Sequence, residues 1–180
     1  AAVVLISQVG AMFDARRADR AVAFFEHLKH TKGKFYGEPF VLLPWERDIV
    51  RDVYGTVNDQ GLRTFRTVWV EIPKKNGKSE LAAGAGLFHT FADGERNGEV
   101  YGCAVDKSQA SIVFDVAVDM IDQLPALKKR AKLNLSTRTV TDKVTGTFYK
   151  VVSADAFSKH GYNISAVICD EIHAQPNRAL

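Results

Sequence analysis

The alternation of apolar and polar positions divides the chain into helical and extended stretches that follow one another in a repeating order. Over residues 17–30 the apolar positions Ala21, Val22, Phe25 and Leu28 share one face at helical spacing, and Lys32-Gly33-Lys34 breaks the pattern. The run Phe40-Val41-Leu42-Leu43-Pro44-Trp45-Glu46 leads into a helix expected over residues 47–54 and ended by Gly55. After a turn at Asn58-Asp59-Gln60-Gly61 comes an apolar β-type run, Thr67-Val68-Trp69-Val70-Glu71-Ile72, which reads as the central strand with Arg63 and Arg66 at its entrance. A helix is expected over residues 79–91, with Leu81, Ala85 and Phe88 as its buried stripe. Gly84 and Gly86 inside it each cost about 1 kcal/mol relative to Ala, which close packing on a sheet would explain.

Beyond a loop at residues 93–98, a strand is expected over 99–105. A helix then starts near Ser108, with Ile112, Val116, Met120 and Leu124 at i+4 spacing and Pro125 closing it. Residues 137–141 and 147–152 alternate in the β manner around Asp142-Lys143-Val144-Thr145-Gly146, which predicts a hairpin. A polar loop over 153–162 precedes a strand over 163–169, whose unbroken apolar end Ala166-Val167-Ile168-Cys169 reads as buried on both faces. Strands alternating with helices predict an α/β fold. No internal repeat, low-complexity stretch or clear linker interrupts it.

Composition narrows the picture only a little. A chain of 180 residues with 46% apolar content fits one globular domain. The formal net charge of +3 is a mild basic excess that permits a nucleic-acid partner without requiring one. The basic run Lys128-Lys129-Arg130-Ala131-Lys132 reads as a solvated helix end, with contact to a phosphate backbone as the sharper alternative. The apolar start, Ala1 to Ile6, is too short to cross a membrane and lacks a basic leader, so neither a span nor a signal peptide is expected. The absence of Met at position 1 points to a processed or trimmed chain. Cys103 and Cys169 each fall in an expected buried strand and read as reduced packing residues, not a disulfide or metal pair.

The candidate chemistry lies where the central strand meets the helix that follows. Pro73-Lys74-Lys75-Asn76-Gly77-Lys78-Ser79 joins them, and strand, short Gly-Lys-Ser loop and helix form the context of a phosphate-binding loop. There, backbone N–H groups and the helix N-terminus face phosphate oxygens, Lys78 reaches the β- and γ-phosphates, and the Ser79 hydroxyl ligates Mg²⁺. Ile72 occupies the position of the first Gly in the full pattern. Gly77 supplies one permissive backbone position, and Asn76 tolerates positive φ better than most residues. A second element, Val167-Ile168-Cys169-Asp170-Glu171, ends a strand in two adjacent carboxylates. Ligands of open α/β sheets lie at the carboxyl ends of strands. That would put Asp170 beside the phosphates, holding Mg²⁺ through water, and Glu171 where it can deprotonate an attacking water. Pro44-Trp45 reads either as a wall for a nucleotide base or as a core anchor.

These residues, in this order, resemble the large terminase subunits of tailed bacteriophages, the ATPases that pump DNA into procapsids. The resemblance rests on Leu43-Pro44-Trp45-Glu46, on Ile72 to Leu81, and on Val167-Ile168-Cys169-Asp170-Glu171-Ile172-His173-Ala174. Ala104-Val105-Asp106-Lys107-Ser108-Gln109-Ala110 and Val152-Ser153-Ala154-Asp155 add to it, and it runs from about Phe40 to the end. It implies a P-loop NTPase of the RecA-like (ASCE) type, with a mainly parallel central sheet flanked by helices. Residues 1–39 would be a helical or extended leading segment and 40–180 the ATPase domain, in its N-terminal part, with no nuclease domain in this chain. By the same resemblance Lys78, Lys74 and Glu171 are catalytic, and Ser79 and Asp170 hold Mg²⁺. Trp45, Glu46, Pro73, Lys74, Lys75, Asn76, Gly77, Lys78 and Ser79 bind ATP. Lys74 stands where the family usually has Arg, and a Lys is a point charge without the planar fork of Arg. Glu46 stands where the adenine motif usually has Gln.

The implied partners are double-stranded DNA, the portal protein, the small terminase subunit and further copies in a ring, with no membrane, in the host cytoplasm. Two other functions fit part of the sequence. Asp170-Glu171-Ile172-His173 also spells the D-E-x-H of helicase-type translocases, which carry a second motor domain. A non-hydrolysing DNA- or portal-binding scaffold would have no use for Lys78, Ser79, Asp170 and Glu171 together.

Overall fold

The computed structural model describes residues 2–6, 11–73, 76–104, 107–153 and 163–170. They form two compact units: Ala1–Leu28 with Pro39–Lys78, and Lys29–Glu38 with Ser79–Leu180.

In the first unit, helix α1 spans Ala15–His27 and starts at Asp14, whose Oδ1 accepts the N–H groups of Arg16 (3.0 Å) and Arg17 (3.2 Å). The start lies two residues before the expected one because the cap, not the first apolar residue, sets it. The expected stripe is correct: Ala21, Val22, Phe25 and Leu28 are all buried. Helix α2 spans Pro44–Gly55 and opens on Pro44, whose missing N–H costs nothing at a first helical position. Trp45 and Glu46, read as lying ahead of that helix, are therefore in its first turn. The two helices touch closely at Gly55, where a Cβ would come within 2.7 Å of the Ala18 Cβ. Phe25 meets Tyr54 at 6.2 Å between ring centroids, and Arg47–Glu26 and Arg51–Asp19 bridge the helices at the surface.

Two small antiparallel pairs complete this unit. Strand β2 (Met12–Phe13) pairs with β3 (Thr56–Val57), and β1 (Ala2–Ile6) pairs with β4 (Thr67–Glu71), in register from Ala2 opposite Glu71 to Ile6 opposite Thr67. The expected central strand is thus β4 of a two-stranded sheet, with Trp69 42% and Val68 38% exposed. Period-2 alternation identifies a strand without naming its neighbours.

The second unit holds a five-stranded sheet in the order β6-β7-β8-β5-β9. Its strands are β5 (Glu99–Ala104), β6 (Ala131–Asn134), β7 (Thr139–Asp142), β8 (Phe148–Ser153) and β9 (Ile164–Cys169). Strand β5 runs parallel to β8 and β9, while β7 runs antiparallel to β6 and β8, so the sheet is mixed and not mainly parallel. The predicted hairpin imposes this: a short turn can join only antiparallel strands, since a parallel pair needs a crossover. Helices α3 (Lys78–Phe91) and α4 (Lys107–Asp122) fall where helices were expected, but their buried faces are turned. In α3 the buried residues are Ala83, Gly84, Gly86, Leu87, Phe88, Thr90 and Phe91, whereas Leu81 and Ala85 are half-exposed. In α4, Val113, Phe114, Ala117 and Ile121 join Val116 and Met120 inside, and Ile112 faces out. Both helices are apolar on more than one face, so spacing alone does not choose the buried one. Pro125 closes α4 as expected but also opens a short helix, α5 (Pro125–Arg130), that the pattern does not mark.

The turn of the hairpin carries the unit's buried charge. Asp142 is fully buried and receives Arg130 through Nε (3.1 Å) and Nη2 (2.5 Å), the Val144 N–H (3.2 Å) and the Thr145 hydroxyl (2.9 Å). Arg130 also donates to the Phe91 carbonyl at 3.1 Å, so this member of the basic run has a structural role while its side chain stays partly exposed. Burial pushes the Asp142 carboxyl up, but the Arg130, Val144 and Thr145 hydrogen bonds and the Arg130 charge outweigh it and hold the group below its ordinary value. Among the described residues, no helix is long and apolar enough to cross a membrane.

A depressed carboxylate stabilises the fold above its unfolded pKa, about 3.9, and that contribution fades as pH falls through the lower folded value. Asp142→Asn should therefore flatten the loss of stability on acidification below about pH 4. Asp142→Ala, which removes the acceptor shared by Arg130, Val144 and Thr145, should lower stability at neutral pH by about 1–3 kcal/mol. Urea unfolding followed across pH measures both.

Candidate functional site

In the first unit, β4 leads through Ile72 and Pro73 to Asn76 and Gly77, and α3 begins at Lys78. Gly77 has φ +78°, the left-handed region that costs an L-residue with a Cβ roughly 1–2 kcal/mol. The turn is tied by Asn76, whose Nδ2 donates to the Pro73 carbonyl at 3.1 Å. Pro73 and Asn76 are exposed, and Gly77, Lys78 and Ser79 are half-buried. Lys74 and Lys75 lie outside the described residues. The first N–H groups of a helix have no intrahelical acceptor and carry partial positive charge. A left-handed Gly followed at once by Lys at the head of a 14-residue helix therefore gathers positive charge of the kind that suits an anion.

Glu46 joins this loop from α2. It is only 2% exposed, its Oε2 accepts the Leu43 N–H at 2.8 Å, and its Oε1 lies 3.2 Å from where a Gly77 Cβ would stand. One side chain therefore both caps α2 and seats the loop glycine. Trp45 beside it is half-buried. The sequence does carry a signal for the first role, a Glu at the third helical position, where it reaches back to the chain ahead of the helix. It carries none for the contact with Gly77.

In the second unit, the strands β5, β8 and β9 are mutually parallel, so their carboxyl ends lie along one edge, with Ala104 opposite Ser153 and Cys103 opposite Cys169. Asp170 follows β9 directly at that edge, half-buried, its N–H donating to the Cys103 carbonyl at 3.0 Å. Glu171, Ile172 and His173 lie outside the described residues. The strand that carries Asp170 is not buried on both faces as expected. It is the last strand of the sheet as described, with Ile164 and Val167 exposed. Cys103 is buried and Cys169 exposed, their sulfurs 2.8 Å apart. The hydrogen bond to Cys169, with burial added, pushes the Cys103 thiol well above its ordinary range, and the same bond lowers the Cys169 thiol.

Two supports of this region are not legible in the sequence. Glu80, next after Ser79, accepts the Thr31 N–H at 3.0 Å and lies 2.9 Å from His30 Nδ1, while Gln123 Nε2 donates to the His30 carbonyl at 3.2 Å. The stretch Lys29–Glu38, which contains the expected break Lys32-Gly33-Lys34, thereby fastens to the first turn of α3 and the end of α4. Tyr149 of β8 fills a slot between Gly86 of α3 and Gly102 of β5, where added Cβ atoms would come within 3.4 Å and 2.5 Å of it. Hard oxygen donors of the kind Mg²⁺ accepts are present at both elements: the Ser79 hydroxyl on α3 and the Asp170 carboxylate at the strand ends.

The model of the terminase large subunit ATPase domain matches residues 44–180. The terminase large subunit of Enterobacteria phage HK97 is 31% identical over 157 residues, an alignment that takes in 86% of this chain and 30% of the relative. The crystal structure of the HK97 bacteriophage large terminase superposes with a TM-score of 0.71 at 28% identity, covering 89% of this chain and 31% of that one. The chain therefore spans under a third of the length of these relatives.

If Gly77 is held left-handed over Glu46, Gly77→Ala should lower stability by about 1–2 kcal/mol. Glu46→Ala, which frees the Leu43 N–H, should cost about 1 kcal/mol. Chemical unfolding of each variant tests this, and unchanged midpoints would show that the loop is not fixed in this conformation.

Proposed function

This chain belongs to the terminase large subunit ATPase domain family, and on that premise we propose that it hydrolyses ATP as part of a phage DNA-packaging motor. The observation that carries the reading is Gly77 at φ +78° directly before Lys78 at the head of α3. Its support is twofold: a helix N-terminus suits phosphate oxygens, and a carboxylate follows the strand end, where ligands of α/β sheets bind. The fold is read as a RecA-like P-loop domain over residues 40–180, preceded by a leading segment, residues 1–39.

Each residue has a role in this reading. Pro73, Lys74, Lys75, Asn76 and Gly77 form the loop around the phosphates, and the Lys78 ammonium neutralises the β- and γ-oxygens. Lys74 brings further charge to the γ-phosphate, and Trp45 and Glu46 line the base side. The Ser79 hydroxyl and the Asp170 carboxylate hold Mg²⁺, which when bound neutralises phosphate charge. Glu171 takes a proton from the attacking water. Phosphoryl transfer asks a protein for positioning and charge rather than covalent chemistry, and these residue types supply both. The partners are double-stranded DNA, a portal protein, a small terminase subunit and further copies of the chain in a ring, in the host cytoplasm.

Calorimetry with Mg²⁺-ATP should show binding that Lys78→Ala abolishes, and equal affinity in the variant would remove the phosphate-loop reading. Glu171→Gln keeps shape but removes the base, so it should preserve binding and cut turnover on the order of 10²–10⁴-fold. Asp170→Asn should instead weaken the dependence of binding on Mg²⁺. A charge supplied in trans can be worth about 10³–10⁵ in rate, so the 180-residue chain alone should turn over negligibly. Phosphate release should recover on a longer chain with neighbouring subunits and DNA.

A further inference from the structure

Cys103 and Cys169 stand directly opposite one another on the parallel strands β5 and β9. Neighbouring strands lie about 4.7–4.9 Å apart, inside the span of roughly 4.4–6.8 Å between the Cα atoms of disulfide-linked residues. Their sulfurs are already 2.8 Å apart, and both thiols are free. The two differ in access: Cys169 is exposed, and Cys103 is 1% exposed. One thiol can meet a reagent from solution, and the other can meet only its neighbour. We propose that Cys103 and Cys169 form a reversible thiol-modification site, in which a small disulfide oxidant converts the pair into a cross-link between β5 and β9.

The chemistry is thiol–disulfide exchange in two steps. The Cys169 sulfur, on losing its proton, attacks one sulfur of a small disulfide such as glutathione disulfide. A mixed disulfide forms on Cys169, and one glutathione thiolate leaves. The Cys103 sulfur then gives up its proton and attacks the Cys169 Sγ, forming the Cys103–Cys169 bond and expelling the second glutathione thiolate. The two protons from the cysteines end on the two glutathiones. Two electrons pass from the protein pair to the oxidant, and excess reduced glutathione reverses both steps. Asp170 follows Cys169 in the chain, and its N–H is bound to the Cys103 carbonyl, so the bond would form at the residues that position this carboxylate.

The test equilibrates the chain with graded ratios of oxidised to reduced glutathione, quenches with acid, alkylates the remaining thiols and maps the products by mass spectrometry. The expected product is a single chain lacking two hydrogens, with Cys103 joined to Cys169 and released by a dithiol reductant. The cysteines are 66 residues apart in sequence. Folding should therefore favour the cross-link by at least about tenfold over the same chain in concentrated urea, where closing so long a loop is entropically costly. Cys103→Ser should stop at the mixed disulfide on Cys169, and Cys169→Ser should leave Cys103 unmodified. A wild-type chain that stops at the mixed disulfide, forms only cross-links between chains, or shows no advantage of the folded over the unfolded state would overturn the proposal.

Discussion

The ring of Tyr149 is the object around which the larger unit is arranged. It is fully buried, with Gly86 of α3 on one side, Gly102 of β5 on another and Phe114 of α4 at 6.0 Å between centroids. At Gly102 a Cβ would overlap the tyrosine hydroxyl and ring at 2.5–3.1 Å, so a larger residue there would displace the ring from its slot. At Gly86 a Cβ would just touch the ring, which sets how closely the helix lies on the sheet. Two glycines thus give up about 0.5–1 kcal/mol each to seat one aromatic whose burial contributes about 1.5–3 kcal/mol. Burial, with the Cys103 and Asp170 charges added, raises the Tyr149 pKa, so the buried phenol stays neutral. The helix that starts at Lys78 and the strands that end near Asp170 are held by the same ring.

Legibility follows the range of the interaction that fixes each feature. The inward stripe of α1, the hairpin, the span of α3 and the limits of β9 were written in local alternation, turn residues and caps, and the structure has them. The neighbours of a strand were not. Thr67 to Glu71 alternates as a strand should, yet nothing in that alternation says that β1 is its partner. Strand β6 owes its existence to pairing with β7 across Ala131–Asp142 and Asn134–Thr139, a contact that no period in its own short sequence announces. The loop glycine was legible because positive φ selects for residue type. Its packing against Glu46, 31 positions away in the chain, was not.

The segment between α1 and α2 shows how a break can be a structural element. The helix already ends at His27, ahead of Lys32-Gly33-Lys34, and Gly33 at φ +70° opens the short 3₁₀ turn Gly33–Phe35. What the segment then does depends on Glu80. A carboxylate in the first turn of a helix is favoured by the helix dipole, and here it also accepts the Thr31 N–H and meets His30. The residue after Ser79 is therefore held from outside the helix, which restrains the turn that carries the Gly-Lys-Ser sequence.

Glu46, within the first unit, likewise serves two ends with one side chain. A Gln here would accept a hydrogen bond through its amide oxygen and still offer two N–H donors. An ionised carboxylate has acceptors only. In this chain both carboxylate oxygens face inward tasks, Oε2 on the Leu43 N–H and Oε1 against Gly77, and the side chain is buried. The substitution is therefore coherent as a structural choice: position 46 keeps the acceptor that starts α2 and gives up the donor. Position 46 thus fixes the start of α2 and the seat of Gly77 through acceptors alone.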